Sequence, residues 1–450
     1  MDLYVSDTEI AGLEAALLSE DTLARLNVLV PLAWHLRQRD CQRALLLADE
    51  AVLLSDNHAI SEKESSTIKA RLALIRAEVH WLFGDLELAR HEANQAFYLF
   101  EENGDQSALG DSYFLFSSIH RDLGDILQRD RCLQAAKEHY ERAGDPLRMQ
   151  IAFARQLHNS AIRDPQNTNT ELQRHFQSEH NYHPAVLAWL ASARAIIANK
   201  IGEMGESCRL HIQAHSAALE TGQIRQAILA ATNAGDSFAT LGDMNAALEW
   251  DEIALRFARH NQWPSSVAIA LLQTGNALRL LGRFEEAKDQ LIASLQMQTK
   301  ISSSRTYAHT LAYLGDLSLD TGLPNQALQY FEQAAERIEA HNEAIFLSDC
   351  WRGQAIAYCR LNLPNEAHEK IRHALHIARE HQNIDEQIKC LRVYSELARK
   401  HPDFDVNALQ MEVPTANLSL HYQLEALSLC QSIKGICIPA DLLDSIADNY

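Results

Sequence analysis

The sequence has no excess of positive charge, no secretory leader, no long apolar run and no closely paired cysteines, and each absence closes off a class of function. Its 40 Lys and Arg stand against 60 Asp and Glu, a formal charge of −20 with a pI near 5.5. Such a surface works against a nonspecific grip on nucleic acid or anionic membrane, so neither is expected as a partner. Met1 is followed by Asp2 and an acidic, polar opening, without the basic and apolar regions of a signal peptide. No stretch approaches the roughly eighteen apolar residues of a membrane span, and the chain reads as soluble and cytoplasmic. Cys41, Cys132, Cys208, Cys350, Cys359, Cys390, Cys430 and Cys437 include no C-x-x-C pair. They suit small buried apolar residues in a reducing compartment better than a disulfide framework.

Catalytic signatures are missing as well. There is no G-x-x-x-x-G-K-[ST] phosphate loop, no G-x-G-x-x-G turn and no G-x-S-x-G elbow. Among 21 histidines, His180 with His183, His211 with His215, and His373 with His376 have ligand-like spacing. No glutamate follows His211 and no third ligand is placed, so no metal and no cofactor are expected. Trp34, Trp81, Trp189, Trp250, Trp263 and Trp351 fall in helical segments and are assigned to packing. The chain is expected not to be an enzyme.

What is present is a repeat. Gly235, Gly242, Ala247 and Ala254 are followed forty residues later by Gly275, Gly282, Ala287 and Ser294, and forty later again by Gly315, Gly322, Ala327 and Ala334. A glycine just past a helix end supplies the left-handed residue of a tight turn, which suits Gly242, Gly282 and Gly322. The glycine seven residues earlier lies within a helix, where its use is to let a neighbour approach closely. Ala247 and Ala254 share one face of the next helix and keep it thin. The unit is a helical hairpin. Outward from this centre the register continues through Ala77, Gly84, Ala89 and Ala96, then Ser117, Gly124 and Ala136, then Ala195, Gly202, Ser207 and Ala214. Downstream come Ala355, Asn362, Ala367 and Ala374, with asparagine replacing the turn glycine.

The pattern divides the chain. Residues 1–163 hold a first block of repeats, including a unit with a first helix around Leu26–Leu36, a turn near Arg39 and the pair Ala44 and Ala51. Residues 164–184 form a polar break within a degenerate repeat turning near Arg163, read as a loop with one short helix around Glu171–Gln177. Residues 185–410 hold a second block, whose last unit turns near Pro402 and Asp403. Residues 411–450 comprise a linker and terminal helices at Leu418–Ser432 and from Pro439 onward, the latter an incomplete repeat.

A small residue, a turn glycine seven later, an alanine five beyond and another seven beyond that resembles the tetratricopeptide repeat, with the large apolar residue between the alanines supplied by Leu291, Phe331 and Ile371. The resemblance covers roughly residues 25–410. The spacing of 40 exceeds the family's usual ~34 and the closing proline is mostly missing. A HEAT or armadillo array has a period nearer 40, but the glycines and alanines fit tetratricopeptide hairpins one by one. The resemblance implies an all-α, right-handed superhelical solenoid of antiparallel hairpins, about ten repeats, whose first helices line a concave groove that binds a protein or peptide partner. Carried onto this chain, groove positions include Arg71, Glu78, Asp111, Arg121, Asn199, Lys200, Asp236, Asn276, Arg279, His309, Asp316 and Arg352. Asn276, Asn199, Arg279 and Arg352 are expected to contact a bound segment, since Asn can satisfy a peptide N–H and C=O and Arg can fork a carboxylate. The family's lysine and asparagine clamp is not reproduced, because Leu272 stands where the lysine belongs. The expected function is a non-enzymatic binding scaffold. The alternative is the sensory or regulatory front of a longer bacterial signalling protein with a diguanylate cyclase or kinase type output.

Overall fold

Most helices in this chain stop at a left-handed residue, and several of the next ones start at an aspartate beside it. In Gly84-Asp85, Gly104-Asp105, Gly124-Asp125, Gly144-Asp145 and Gly242-Asp243 the glycine takes φ between 67° and 88°. The aspartate then caps the following helix by accepting a backbone N–H three residues on. The expected turn glycines Gly242, Gly282 and Gly322 and the substitute Asn362 all have positive φ. So do Gly222, Gln262 and Gln382, each twenty residues from one of these. The turn therefore recurs about every twenty residues, and both helices of a hairpin are similar in length.

The computed structural model describes residues 1–17, 22–57, 61–177, 181–298, 304–340, 346–401, 418–432 and 440–449. Among them are twenty-two helices and no strand. They are α1 (Asp7–Ala16), α2 (Thr22–Leu36), α3 (Cys41–Asn57), α4 (Glu62–Leu82), α5 (Leu86–Asn103), α6 (Gln106–Asp122), α7 (Ile126–Arg142) and α8 (Pro146–Ala161). There follow α9 (Pro165–His175), α10 (Pro184–Lys200), α11 (Met204–Glu220), α12 (Ile224–Leu241), α13 (Met244–Asn261), α14 (Pro264–Leu280) and α15 (Phe284–Gln298). The rest are α16 (Ser304–Asp320), α17 (Pro324–Ala340), α18 (Leu347–Arg360), α19 (Pro364–Glu380), α20 (Ile384–Lys400), α21 (Leu418–Ser432) and α22 (Ala440–Asn449). No described helix is long and apolar enough to cross a membrane. The seven described cysteines are free, and all but Cys359 are buried; Cys437 lies outside the described residues, as do His180, the turn at Pro402 and Asp403, and the linker ahead of α21.

The glycines inside the first helices admit a neighbour, as their spacing predicts. A Cβ on Gly275 would lie 2.8 Å from Leu291, and one on Gly315 2.8 Å from the Phe331 ring. Phe331 is gripped from the other side by Gly353, whose Cβ would come within 2.3 Å of the ring. Ala247, Ala254, Ala287, Ala327 and Ala334 are fully buried on the thin face of the second helices. Because the Phe331 ring is held between two helix backbones, Gly353→Ala is expected to destabilise by about 1–3 kcal/mol. Gly242→Ala, which meets no atom but must hold φ 86°, is expected to lose about 1 kcal/mol. Urea unfolding midpoints of the two variants give the comparison.

The polar break contains more helix than its composition suggests. α9 begins at Pro165 in the first turn, capped by Asp164, whose carboxylate accepts the Asn167 N–H. These start signals outweigh the run of Asn and Thr. α9 is short, and α8 and α10 pack along each other more extensively than any other two successive first helices.

The hairpins stack in sequence and wind back onto themselves. The Arg39 guanidinium donates to the Thr221 carbonyl, 182 residues away, and the Arg225 N–H donates to Gln38 Oε1, 187 residues away. One superhelical turn thus takes about four and a half hairpins. The next turn repeats the closure, where Met204 of α11 shares a buried cluster with Ile371, Ile388 and Tyr394.

Candidate binding groove

The even-numbered helices α2 to α16 present their inner faces to one cavity of about 590 Å³. Of the residues expected there, Glu78, Asp111, Arg121, Asn199, Asp236 and His309 line it. Arg71, Lys200, Asn276, Arg279, Asp316 and Arg352 do not, and lie behind it or along the wall formed by the later hairpins.

The N-terminal end of the groove is occupied by the chain's own first residues. Leu3, Tyr4 and Val5 are buried, although they precede α1 and have no regular secondary structure. Four of the segment's carbonyls are captured by side chains of the solenoid. Arg148 donates to Met1 O at 2.6 Å, Trp34 Nε1 to Asp2 O at 2.9 Å, Arg37 to Leu3 O at 3.0 Å and Arg39 to Val5 O at 2.7 Å. The Arg37 guanidinium also lies 5.1 Å from the Tyr4 ring centroid. Ser6 and Glu9 then form a capping box that starts α1 and ends the extended run.

These gripping residues are oriented by a second tier of buried ions. Arg37 is held by Glu78 at 2.7 Å, and Gln38 donates to the other oxygen of that carboxylate. Arg148 is held by Asp111 at 3.0 Å and Asp145 at 2.7 Å. Asp111 also accepts from Arg71 at 2.7 Å and the Tyr140 hydroxyl at 3.0 Å. Burial alone would raise the Asp111 carboxyl, but Arg148 and Arg71 together pull it below the usual range. Arg71, Glu78 and Asp111, expected to contact a partner, already have partners within this chain. All three are buried and engaged within the chain: Glu78 holds Arg37, and Asp111 holds both Arg71 and Arg148.

Farther in, Asp122 accepts from Arg121 at 3.0 Å, Arg225 at 2.9 Å and Trp81 Nε1 at 2.8 Å. Burial opposes ionisation there, yet Arg121 and Arg225 hold Asp122 down to about 2. Arg225 also covers the Trp81 ring at 4.2 Å, joining α12 to α4 and α6. The later wall is equally matched. Arg279 bonds Asn276 and Asp320 and lies 4.0 Å from Asp316. Arg352 bonds Glu386 at 2.7 Å and Asp349 at 3.1 Å. Arg279 and Arg352, expected to fork a partner's carboxylate, thus engage acids of this chain. Lys200 is half-buried and feels the charge of Asp385, His309 sets its ring edge on Phe346, and Asp236 is exposed on the wall.

Sequence reasoning overlooked Trp34, Arg37, Arg39 and Arg148. The first unit turns without a glycine, so nothing fixes its register; counted from Arg39, Arg37 falls two residues before the turn, a groove position. Of the histidine pairs, burial holds His211 down to about 4, and His215 Nδ1 donates to the Ala227 carbonyl at 2.8 Å. No cluster of potential metal ligands occurs among the described residues.

An all-α solenoid whose first helices wall an inner groove is the class that these features define. Residues 266–340 match the tetratricopeptide repeat model, the stretch in which the forty-residue pattern is most regular. Its fold is shared with a Rap protein solved in complex with Competence and Sporulation Factor, at TM-score 0.55 and 12% identity over 76% of this chain and 94% of that one. The APC/C hetero-tetramer Cut9-Hcn1 aligns at TM-score 0.41 and 13% identity over 100% of both chains. No curated protein matches the sequence.

Proposed function

We propose that the protein is a non-enzymatic binding scaffold whose inner groove receives an extended segment of a protein or peptide partner. The capture of Met1–Val5 carries this reading: Trp34 of α2, Arg37 and Arg39 in the turn just past it, and Arg148 of α8 hold four main-chain carbonyls. Contacts to carbonyls are indifferent to side-chain identity, so the same grip suits any extended segment whose apolar residues fit beside Trp34. The complex named for the Rap protein supports the same use of the fold.

The test uses the full chain with Leu3→Ser and Tyr4→Ala, which weaken the hold on its own segment. A fluorescently labelled synthetic peptide of residues 1–6 is expected to bind this variant saturably. Adding Trp34→Phe, which deletes one hydrogen bond, is expected to weaken binding about 3–10-fold. Absence of saturable binding by a variant with wild-type helix content and unfolding midpoint would count against the groove as a receptor.

A further inference from the structure

Beyond Tyr4, the cavity contains a group of buried nitrogen atoms with nothing to bond. Arg155 of α8 is 3% exposed. Its Nη1 donates to the Phe114 carbonyl at 3.3 Å and its Nη2 to Ser118 Oγ at 2.7 Å, and the guanidinium stacks 4.4 Å from the Phe114 ring centroid. Its Nε has no partner. Arg121 Nη2, Asn159 Nδ2, His158 Nδ1 and His211 Nδ1 are likewise buried and unpartnered, and all five residues line the one cavity.

The charges around this chamber do not balance. Glu78 is taken by Arg37, and the single carboxylate of Asp122 serves both Arg121 and Arg225. Arg155 forms no ion pair among the described residues. A guanidinium out of water without a counter-charge is unfavourable, and orphaned donors beside it add to the cost. Burial first, and Arg121 next, bring Arg155 down to about 9, still a cation at neutral pH. Burial keeps His158 near 3, so both imidazoles are neutral and each can offer one N–H. This local surplus of positive charge sits inside a chain of net charge −20, so it is not a consequence of general composition.

We propose that the chamber is an oxyanion site, in which the carboxylate or phosphate group of a ligand bonds Arg155, with Arg121 Nη2 and Asn159 Nδ2 supplying further donors. The proposal needs no extended peptide and stands or falls apart from the peptide grip at Trp34 and Arg37.

Thermal unfolding of the full chain at neutral pH tests it, with inorganic phosphate and succinate as probes and sodium chloride at matched ionic strength as control. The transition is expected to rise saturably with phosphate or succinate and not with chloride; the stronger of the two identifies the preferred source of the oxyanion. Arg155→Met is expected to abolish the response while unfolding no earlier than wild type in anion-free buffer, because methionine fills the stem's space and removes an uncompensated charge. Asn159→Asp supplies a carboxylate in place, and is expected to raise the transition and cancel the response independently of how Arg155→Met folds. A wild-type transition indifferent to both probes, or a saturable response that survives in Asn159→Asp, overturns the proposal.

Discussion

Replacing Asp111 by alanine is expected to lower stability by about 3–5 kcal/mol, the usual loss when one partner of a buried ion pair is removed. Asp111 is 2% exposed and serves Arg71, Arg148 and the Tyr140 hydroxyl at once. Its loss leaves two guanidinium groups and a phenol to compete for what remains. Since Arg148 also holds Met1 O, amide exchange in residues 2–5 is expected to rise in parallel. The pH dependence has a definite sign. The Asp111 carboxyl is held below its ordinary 3.8, so its contribution is complete above that value and disappears as pH falls through the lowered one. Urea midpoints of wild type and Asp111→Ala should therefore converge on acidification below the ordinary carboxylate range. A constant difference across that range would assign the loss to packing.

The second large effect has the opposite direction. Asp251 of α13 occupies the position that later repeats give to Leu291, Phe331 and Ile371, and it is 3% exposed. Its Oδ1 has no hydrogen-bond partner and lies where a Cβ on Gly235 would come within 2.4 Å. Burial first, and the charge of Asp236 second, raise its carboxyl well above the ordinary range. A raised carboxyl opposes folding as pH climbs from the unfolded value through the folded one. Asp251→Leu is expected to stabilise by about 2–4 kcal/mol at neutral pH, the sum of an orphaned buried carboxyl removed and a leucine buried. The same hairpin geometry already accepts Leu291 against Gly275. Denaturant titrations should show the gain shrinking as wild type becomes protonated in acid; destabilisation at neutral pH would mean that Asp251 has a partner the geometry does not reveal.

The hairpin architecture was legible because its rules are local. Gly242, Gly282 and Gly322 announce turns by their need for positive φ, and the alanines announce thin helix faces. Half of the turns were harder to read: Gln262 and Gln382 take left-handed backbone without glycine, which no residue preference signals. The start of α9 was present as Asp164-Pro165 but lay in a stretch of polar composition. For the groove, six of the residues that sequence spacing picked out, Glu78, Asp111, Arg121, Asn199, Asp236 and His309, line one cavity. Spacing could not distinguish a polar side chain facing a ligand from one buried in an ion pair, because that depends on hairpins some forty residues apart, as in Arg37 with Glu78 and Arg71 with Asp111. Nor could it anticipate that Met1–Val5 enters the groove, since nothing periodic links that segment to Arg148. Winding closure, set by contacts such as Arg39 with Thr221, is likewise invisible to a forty-residue period.

The most direct measurement of the central claim is site-specific photocrosslinking in native extract. A photoreactive phenylalanine analogue replaces Tyr313 on the groove lining in one full-length protein, and Leu127, 73% exposed on a second helix, in another. Crosslinked segments mapped by mass spectrometry are predicted to come from Tyr313, as short contiguous stretches of partner chains, with little from Leu127. Recovery of the same partners at equal or greater yield from Leu127 would contradict a binding surface inside the groove.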